Sequence, residues 1–289
     1  MKPIIEKLPL EENTSFVAKT HATPQFEVPW HQHIEYELIL FTNGEGSSYI
    51  GNHVGEFKTG DIFFLGSNLP HTFQKANEAL YTSAVVVHFR ENFWGDAFVG
   101  LPEMRTIRDL FNQSKNGLHI KGQSKLLLQP LITELETLSG LSRIIRLCEC
   151  LELMAKDKEY NTVSTQDIIE LNPKHRERID AIFQYTIEHF QEAITLTAIA
   201  SHAGMSVPAF CSYFKKSTKK TYVDFLNEVR TGHACNQLMD TQMTIEQICY
   251  DSGFNTLANF NKQFLKVKKL TPSQYRKVFM RREGPAVLA

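Results

Sequence analysis

The chain has 289 residues, of which 42% are hydrophobic and 22% charged, and its formal net charge is −1. That length supports two domains with separate cores, and the composition excludes a disordered or fibrous chain. No apolar run reaches membrane length, no basic-apolar leader opens the sequence, and the five scattered cysteines lack scaffold spacing, so reduced thiols in a cytoplasmic protein without a membrane partner are expected.

Residues 15–90 read as strands. Leu38–Phe41, Ser48–Ile50, Asp61–Leu65 and Ala84–Val87 are short β-type runs separated by Gly, Asn and Pro, the pattern of a sandwich or barrel. Within this region lies Trp30-His31-Gln32-His33-Ile34-Glu35-Tyr36-Glu37, followed by Gly44, then Gly60-Asp61 and Pro70-His71. Strand alternation places His31, His33, Glu35, Glu37, Ile39 and Phe41 on one face, expected inward. Three imidazoles and a carboxylate suit Fe, Mn, Ni or Zn. The same side chains also suit a hydrogen-bonding pocket without a metal.

This segment resembles the two cupin motifs. His31, His33, Glu37 and His71 match the four metal-ligand positions, so the resemblance implies a divalent metal as the one candidate cofactor. The second motif is partly kept: Gly66 and Asn68 stand for its Pro and Gly, Lys75 for its final Asn, and Gln25 replaces the early Gly of the first motif. The resemblance further implies a ligand pocket lined by Trp30, His31, His33, Glu37, Phe41, Tyr49 and His71, with Phe63 and Phe73; on composition alone those aromatics read as core.

Residues 101–160 turn helical. Met104–Gln113, Leu126–Leu138 and Leu141–Met154 carry apolar residues at spacings of three and four, with Pro130 interrupting the second. This pair reads either as a dimer interface or as a cover for the barrel. Cys148 and Cys150 point to different faces of the last helix. The polar stretch Lys156–Lys174, with Asn172-Pro173, reads as a linker, and Arg178–Phe190 as a helix with Ile179, Ile182, Phe183 and Ile187 inward.

The charge is uneven across that linker. From Asn172 onward 16 Lys and Arg stand against 10 Asp and Glu, whereas the preceding chain has 15 against 22. A basic C-terminal part attracts phosphate, and the acidic N-terminal part is not expected to bind nucleic acid.

Two similar helical pairs follow. In the first, Ile199-Ala200 leads through Ala203-Gly204-Met205 to Ser206, Pro208, Phe210 and Phe214. In the second, Ile248-Cys249 leads through Ser252-Gly253-Phe254 to Phe260 and Phe264, each landmark offset by 49 or 50 residues. Two short amphipathic helices joined by a turn containing Gly form a helix-turn-helix. Ser206 and Asn255 are expected to cap the second helices and Gly253 to supply positive φ. Tyr222–Met239 reads as a rigid connecting helix. Away from the phenylalanines, the last helix of each pair presents Ala209, Ser212, Lys215 and Lys216, and Asn255, Ala258, Asn259, Lys262 and Lys266. Asn pairs with adenine edges and Lys with guanine edges, and Ala permits close approach.

The C-terminal part, about 175–279, resembles the AraC/XylS family of transcription regulators through Leu196, Ile199-Ala200, Gly204-Met205-Ser206, Phe210, Phe214-Lys215-Lys216, Phe225-Leu226, Arg230, Gly253-Phe254, Phe260, Phe264 and Thr271–Arg276. Lys219 and Lys269 stand where that family usually has Gly, so the local turns are expected to differ. Ser212 replaces a frequent Arg and Cys249 a usual Ala. The fold class is therefore α+β with two domains: an N-terminal cupin-like β-barrel (1–100) with a helical appendage (101–160), a linker (161–174), and a C-terminal all-α domain (175–283) with helix-turn-helix units at about 195–217 and 244–267. The resemblance implies a sequence-specific regulator that binds double-stranded promoter DNA, senses a small molecule such as a sugar or related metabolite, forms a homodimer and works with RNA polymerase. Lys215, Lys216, Lys219 and Lys220 would meet phosphates, and Ala209, Ser212, Asn255, Asn259 and Lys262 base edges. Two other readings are open: a metal-dependent cupin oxygenase or isomerase with an accessory helical domain, and an interaction protein that no longer binds DNA.

Overall fold

The computed structural model describes residues 4–5, 15–23, 29–76, 79–165 and 173–280. The N-terminal half holds strands β1 (Ile4–Ile5), β2 (Phe16–Ala22), β3 (His31–Gln32), β4 (Tyr36–Asn43), β5 (Glu45–Ile50), β6 (His53–Lys58), β7 (Ile62–Leu65), β8 (His71–Lys75) and β9 (Ser83–Phe89). A short helix α1 (Asp96–Val99) and a 3₁₀ turn lead to α2 (Arg105–Ser114), β10 (Leu118–Ile120), α3 (Gly122–Glu134), α4 (Gly140–Asp157) and β11 (Tyr160–Thr162). The strands form two sheets, in the orders β1-β3-β8-β5-β6 and β11-β10-β7-β4-β9-β2.

Alternation along β4, β7 and β9 explains the layers. Ile39, Phe41, Phe63, Leu65, Ala84 and Val86 point between the sheets and meet Ile50, Phe57 and Phe73. Leu38, Leu40, Phe64, Val85 and Val87 point outward and are covered by Ile107, Leu110, Leu128, Ile132, Leu147 and Leu151 of the helices. The helical pair thus covers the barrel through one face. Its opposite face leaves Leu126, Leu127, Leu141 and Ile145 exposed.

Two expectations need correction here. The stretch after α4 begins not as linker but as β11, which pairs antiparallel with β10 through Leu118↔Thr162 and Ile120↔Tyr160. The motif strand is also interrupted: residues 33–35 form a bend between β3 and β4, so the alternation inferred through Glu35 breaks there. The expected linker residues 166–172, the end of the DNA-binding domain beyond 280, and Gln25 lie outside the described residues.

The C-terminal half is all helical: α5 (Pro173–His189), α6 (Leu196–His202), α7 (Val207–Thr218), α8 (Tyr222–Asp240), α9 (Ile245–Asp251), α10 (Leu257–Lys268) and α11 (Pro272–Met280). Its two units have separate cores. Phe183, Phe210, Phe214, Phe225 and Val229 gather the first; Ala234, Leu238, Ile248, Phe260, Phe264 and Tyr275 the second. Helix α8 contributes one end to each.

Candidate functional site

The helical pairs α6–α7 and α9–α10 are built alike. Thr195 caps α6 by accepting from the Ala198 N–H, and Thr244 caps α9 in a reciprocal box with Gln247. The turns pass through Gly204 at φ 65° and Gly253 at φ 79°. At Gly253 a Cβ would also lie 2.5 Å from the Phe190 carbonyl oxygen, so only glycine fits. Phe210 and Phe214 of α7, and Phe260 and Phe264 of α10, are fully buried. Ala209, Ser212, Lys215, Lys216, Asn255, Ala258, Asn259, Lys262 and Lys266 are all exposed on the other side. Lys266 also pairs with Asp224 at 2.5 Å.

Three local expectations fail in whole or in part. Asn255 does not cap α10; Thr256 does, accepting from the Asn259 N–H. Lys219 and Lys269 do not change the turns. They take the left-handed conformation glycine would adopt, at φ 61° and 59°, and their N–H groups close onto Lys215 and Leu265 carbonyls. Ser206 holds the N-cap position of α7 but makes no side-chain capping bond.

The second constellation sits inside the barrel. His31, His33, Glu37 and His71 are all buried, with ligand atoms within 4.8 Å of one another. They come from β3, the bend after it, β4 and β8, and β3–β8 pairing sets His31 opposite His71. The turn before His71 passes through Asn68 at φ 57°, where asparagine substitutes for the glycine of the motif.

Each ring is oriented by its other nitrogen. The Nδ1 atoms of His31, His33 and His71 donate to the carbonyls of Pro29, Glu35 and Leu69 at 2.9, 3.1 and 2.8 Å. A carbonyl only accepts, so Nδ1 carries the proton and Nε2 is turned to the centre. There Glu37 Oε2 lies 2.9 Å from His33 Nε2 and 2.7 Å from His71 Nε2, the latter without hydrogen-bond alignment. Lone pairs facing a carboxylate at these distances repel unless a proton or a cation lies between them. Burial pushes the His31 imidazole down to about 3, leaving it neutral. Burial also opposes charge on His33, but the Glu37 hydrogen bond and charge outweigh it and raise its pKa. Glu37 is held well below the carboxylate range; burial opposes this, and His71, His88 and the His33 hydrogen bond prevail. The donor set, the tied Nδ1 atoms and the unaligned His71 Nε2 all fit a divalent cation.

Comparison with known proteins matches both halves of the chain to domain families. Residues 199–278 match the model of a helix-turn-helix domain, and residues 13–134 match that of an AraC-like ligand binding domain. The chain belongs to the AraC family of transcription regulators. It is similar to the HTH-type transcriptional activator RhaR of Mannheimia succiniciproducens, at 21% identity over 94% of this chain and 95% of that one. It is also similar to an uncharacterized HTH-type transcriptional regulator of Staphylococcus aureus at 24% identity, over 81% of this chain but 30% of the relative's length. Among solved structures, ToxT of Vibrio cholerae with an unsaturated fatty acid bound aligns over 94% of this chain and 99% of that one, at 16% identity and a TM-score of 0.39. The C-terminal domain of AraT from Geobacillus stearothermophilus aligns over 42% of this chain and 94% of that one, at 24% identity and a TM-score of 0.35.

In this AraC-family regulator the pocket aromatics separate. Phe41 lies inside the barrel, stacked on Phe57 at 4.0 Å. Trp30 and Tyr49, expected beside it, face the opposite way and join the core of the first helix-turn-helix unit. They sit one residue away from inward His31 and Ile50, so alternation alone assigns them outward. Two participants were missed. His88 of β9 lies 3.6 Å from Glu37 Oε2, and Glu35 accepts from Arg90 at 3.2 Å. His88 follows Val86 at the two-residue period that marks inward positions, which is the signal that could have found it. Lys268, one turn from the exposed lysines, points to the barrel and bonds Glu56 Oε1 at 2.7 Å.

Proposed function

We propose that this transcription regulator is a cytoplasmic homodimer, reads two adjacent major-groove segments of promoter DNA with α7 and α10, and senses a small molecule at the histidine end of its barrel. The observation that carries the reading is the matched outer faces of α7 and α10. Ala209, Ser212, Asn255, Ala258, Asn259 and Lys262 take base edges; Lys215, Lys216 and Lys266 take phosphates, with Lys219 and Lys220 beside them. The exposed Leu126, Leu127, Leu141 and Ile145 support self-association through the helical pair. RNA polymerase is the downstream partner. Among the described residues no helix is long and apolar enough to cross a membrane.

The histidine cluster supports a more specific reading of the sensor. His31, His33, Glu37 and His71 hold a divalent cation, with His88 beside them, and the cation or a molecule bound to it is the signal. The cluster thus serves sensing rather than turnover. Tightly bound metal with catalysis on small-molecule substrates would revive the enzyme reading. The deciding experiment selects genomic fragments with the purified full chain in moderate salt and quantifies metal on the same sample. Enrichment of one promoter-proximal motif with two segments about one helical turn apart supports the regulator. Absence of any enriched motif overturns DNA reading, and absence of metal after exposure to Mn, Fe, Ni and Zn overturns the cation.

A further inference from the structure

The two helix-turn-helix units lack a common apolar core. Each packs on its own end of α8, and between them lies a polar cleft of about 310 Å³. Thr218, Lys219 and Lys220 line it from the first unit, and Gln263, Lys266 and Val267 from the second. Lys266–Asp224 crosses toward α8 at 2.5 Å, with the lysine side chain 61% exposed. An exposed pair of this kind is weak and is screened by salt. Packing on α8 and the close approach of Gly253 to the Phe190 carbonyl join the two units, but across this cleft the C-terminal ends of α7 and α10 share no apolar cluster.

One hairpin of the sensor bridges the gap. Strands β5 and β6 turn through Gly51-Asn52, with Gly51 at φ 55°. Asn52 is buried and its Nδ2 donates to the carbonyl of Thr218, the last residue of α7, at 2.7 Å. Its Oδ1 accepts from Ser164 Oγ at 2.8 Å and from the Thr165 N–H at 3.0 Å, which locks its orientation. Four residues on, Glu56 of β6 accepts from Lys268 Nζ, the last residue of α10, at 2.7 Å. Tyr275 of α11 donates to both Glu56 oxygens at 2.9 and 3.0 Å. Thr218 and Lys268 are equivalent positions of the internal repeat, 50 residues apart like Phe210 and Phe260. Ser47 of β5 completes the seat by accepting from Asn236 of α8 at 2.9 Å.

We propose that Asn52 and Glu56 are positioning residues for DNA recognition: the β5–β6 hairpin holds the C-terminal ends of both recognition helices and so sets the spacing of the two DNA segments the protein reads. The inference rests on the reading that α7 and α10 both enter DNA. The seat is continuous with the sensor site, because β5 pairs with β8 through Ile50↔His71. One base pair is a rise of about 3.4 Å, so a small change in helix separation registers as a change in preferred spacing. Two linked units bind jointly only where the spacing matches, so a loosened seat lowers joint binding without touching either half-site.

The test uses the full chain and its Asn52→Ala and Glu56→Gln variants in selection from a randomised duplex library at one salt concentration. The readout is the distribution of gaps between the two enriched half-motifs. The parent is expected to give one sharp gap. The variants are expected to broaden it by at least one base pair and to lose about tenfold in affinity at the parental gap, while binding a duplex with a single half-motif as the parent does. Lys268→Gln, which removes the same ion pair from the other side, is expected to match Glu56→Gln; it also replaces any variant whose half-motif binding is lost through misfolding. A sharp parental gap in all variants with half-motif binding intact overturns the proposal. A parent without any preferred gap overturns the two-helix reading beneath it.

Discussion

Trp30 and His31 are adjacent in the chain and face opposite halves of the molecule. The Trp30 indole meets the Phe183 ring of α5 edge-on at 5.9 Å, and the His31 ring lies 4.3 Å from that of His71 inside the barrel. The chain entering β3 thus carries a residue of the sensor site next to a residue packed in the core of the first helix-turn-helix unit.

Replacing the indole tests that connection. Trp30→Ala is expected to destabilise the protein by about 3–5 kcal/mol, the usual cost of truncating a buried aromatic. Urea denaturation followed by circular dichroism measures it. Because His31 keeps its own bond to the Pro29 carbonyl, the variant is expected to retain the parental divalent-metal stoichiometry. A loss below 1 kcal/mol would show that Trp30 contributes little to joining the halves.

The DNA face separates into two kinds of lysine. Lys262→Ala is expected to cost about 1–3 kcal/mol on the selected operator and to lower the preference over random DNA. Lys216→Ala is expected to weaken both alike and to reduce the slope of log affinity against log salt by about 1. Fluorescence anisotropy titrations at three salt concentrations check both. An unchanged specificity ratio for the first variant, or an unchanged slope for the second, refutes the assignment.

Lys269 ends α10 in a left-handed conformation at φ 59°, which costs a non-glycine residue roughly 1–2 kcal/mol. Lys269→Gly is expected to recover part of this and raise stability by about 0.5–1 kcal/mol, after allowing for the freer unfolded glycine. A lower urea midpoint would mean that the Lys269 Nζ bond to the Lys266 carbonyl matters more than the backbone.

His53 supplies a pH dependence. Burial first, then the charges of Lys220, Lys268 and His119, push its pKa down from 6.5 to about 4. The unfolded chain binds the proton near 6.5, whereas the folded chain waits until about 4. Unfolding therefore takes up a proton within that window, and stability falls as pH drops through it and levels off below. The full effect is on the order of 3 kcal/mol. His53→Gln is expected to flatten this part of the profile, measured as urea midpoints at pH 7, 5.5 and 4.5. An equally steep decline in the variant would assign the slope to other groups.

Much of this was legible in the residues. The 50-residue repeat, the paired phenylalanines and the two turn glycines locate both helix-turn-helix units, because helical amphipathicity is a local signal. The His31/His33/Glu37/His71 quartet is legible for a different reason: its spacing resembles the cupin motifs, although the bend at 33–35 breaks the strand alternation between His31 and Glu37. What failed was long-range or below one turn in length. The one-residue offset from His31 turns Trp30 out of the barrel, but nothing local says that it docks on Phe183, far along the chain. Asn255 and Thr256 are both competent caps, and one residue of backbone phase decides between them. Lys219 and Lys269 show the converse, a local preference overridden by the helix ends around them. Glu56 and Asn52 were unreadable because their partners lie more than 100 residues away, Thr218 and Lys268 among them.

The pairing of β11 with β10 has a practical consequence for dividing the protein. A sensor fragment ending with α4 at Asp157 would strip the outer strand from the six-stranded sheet and leave the row of N–H and C=O groups of Leu118–Ile120 unsatisfied at a new edge. Exposed edges of that kind recruit further strands and lead to aggregation. A fragment carried through Thr165 keeps β10 paired on both sides and retains the Ser164 and Thr165 contacts to Asn52.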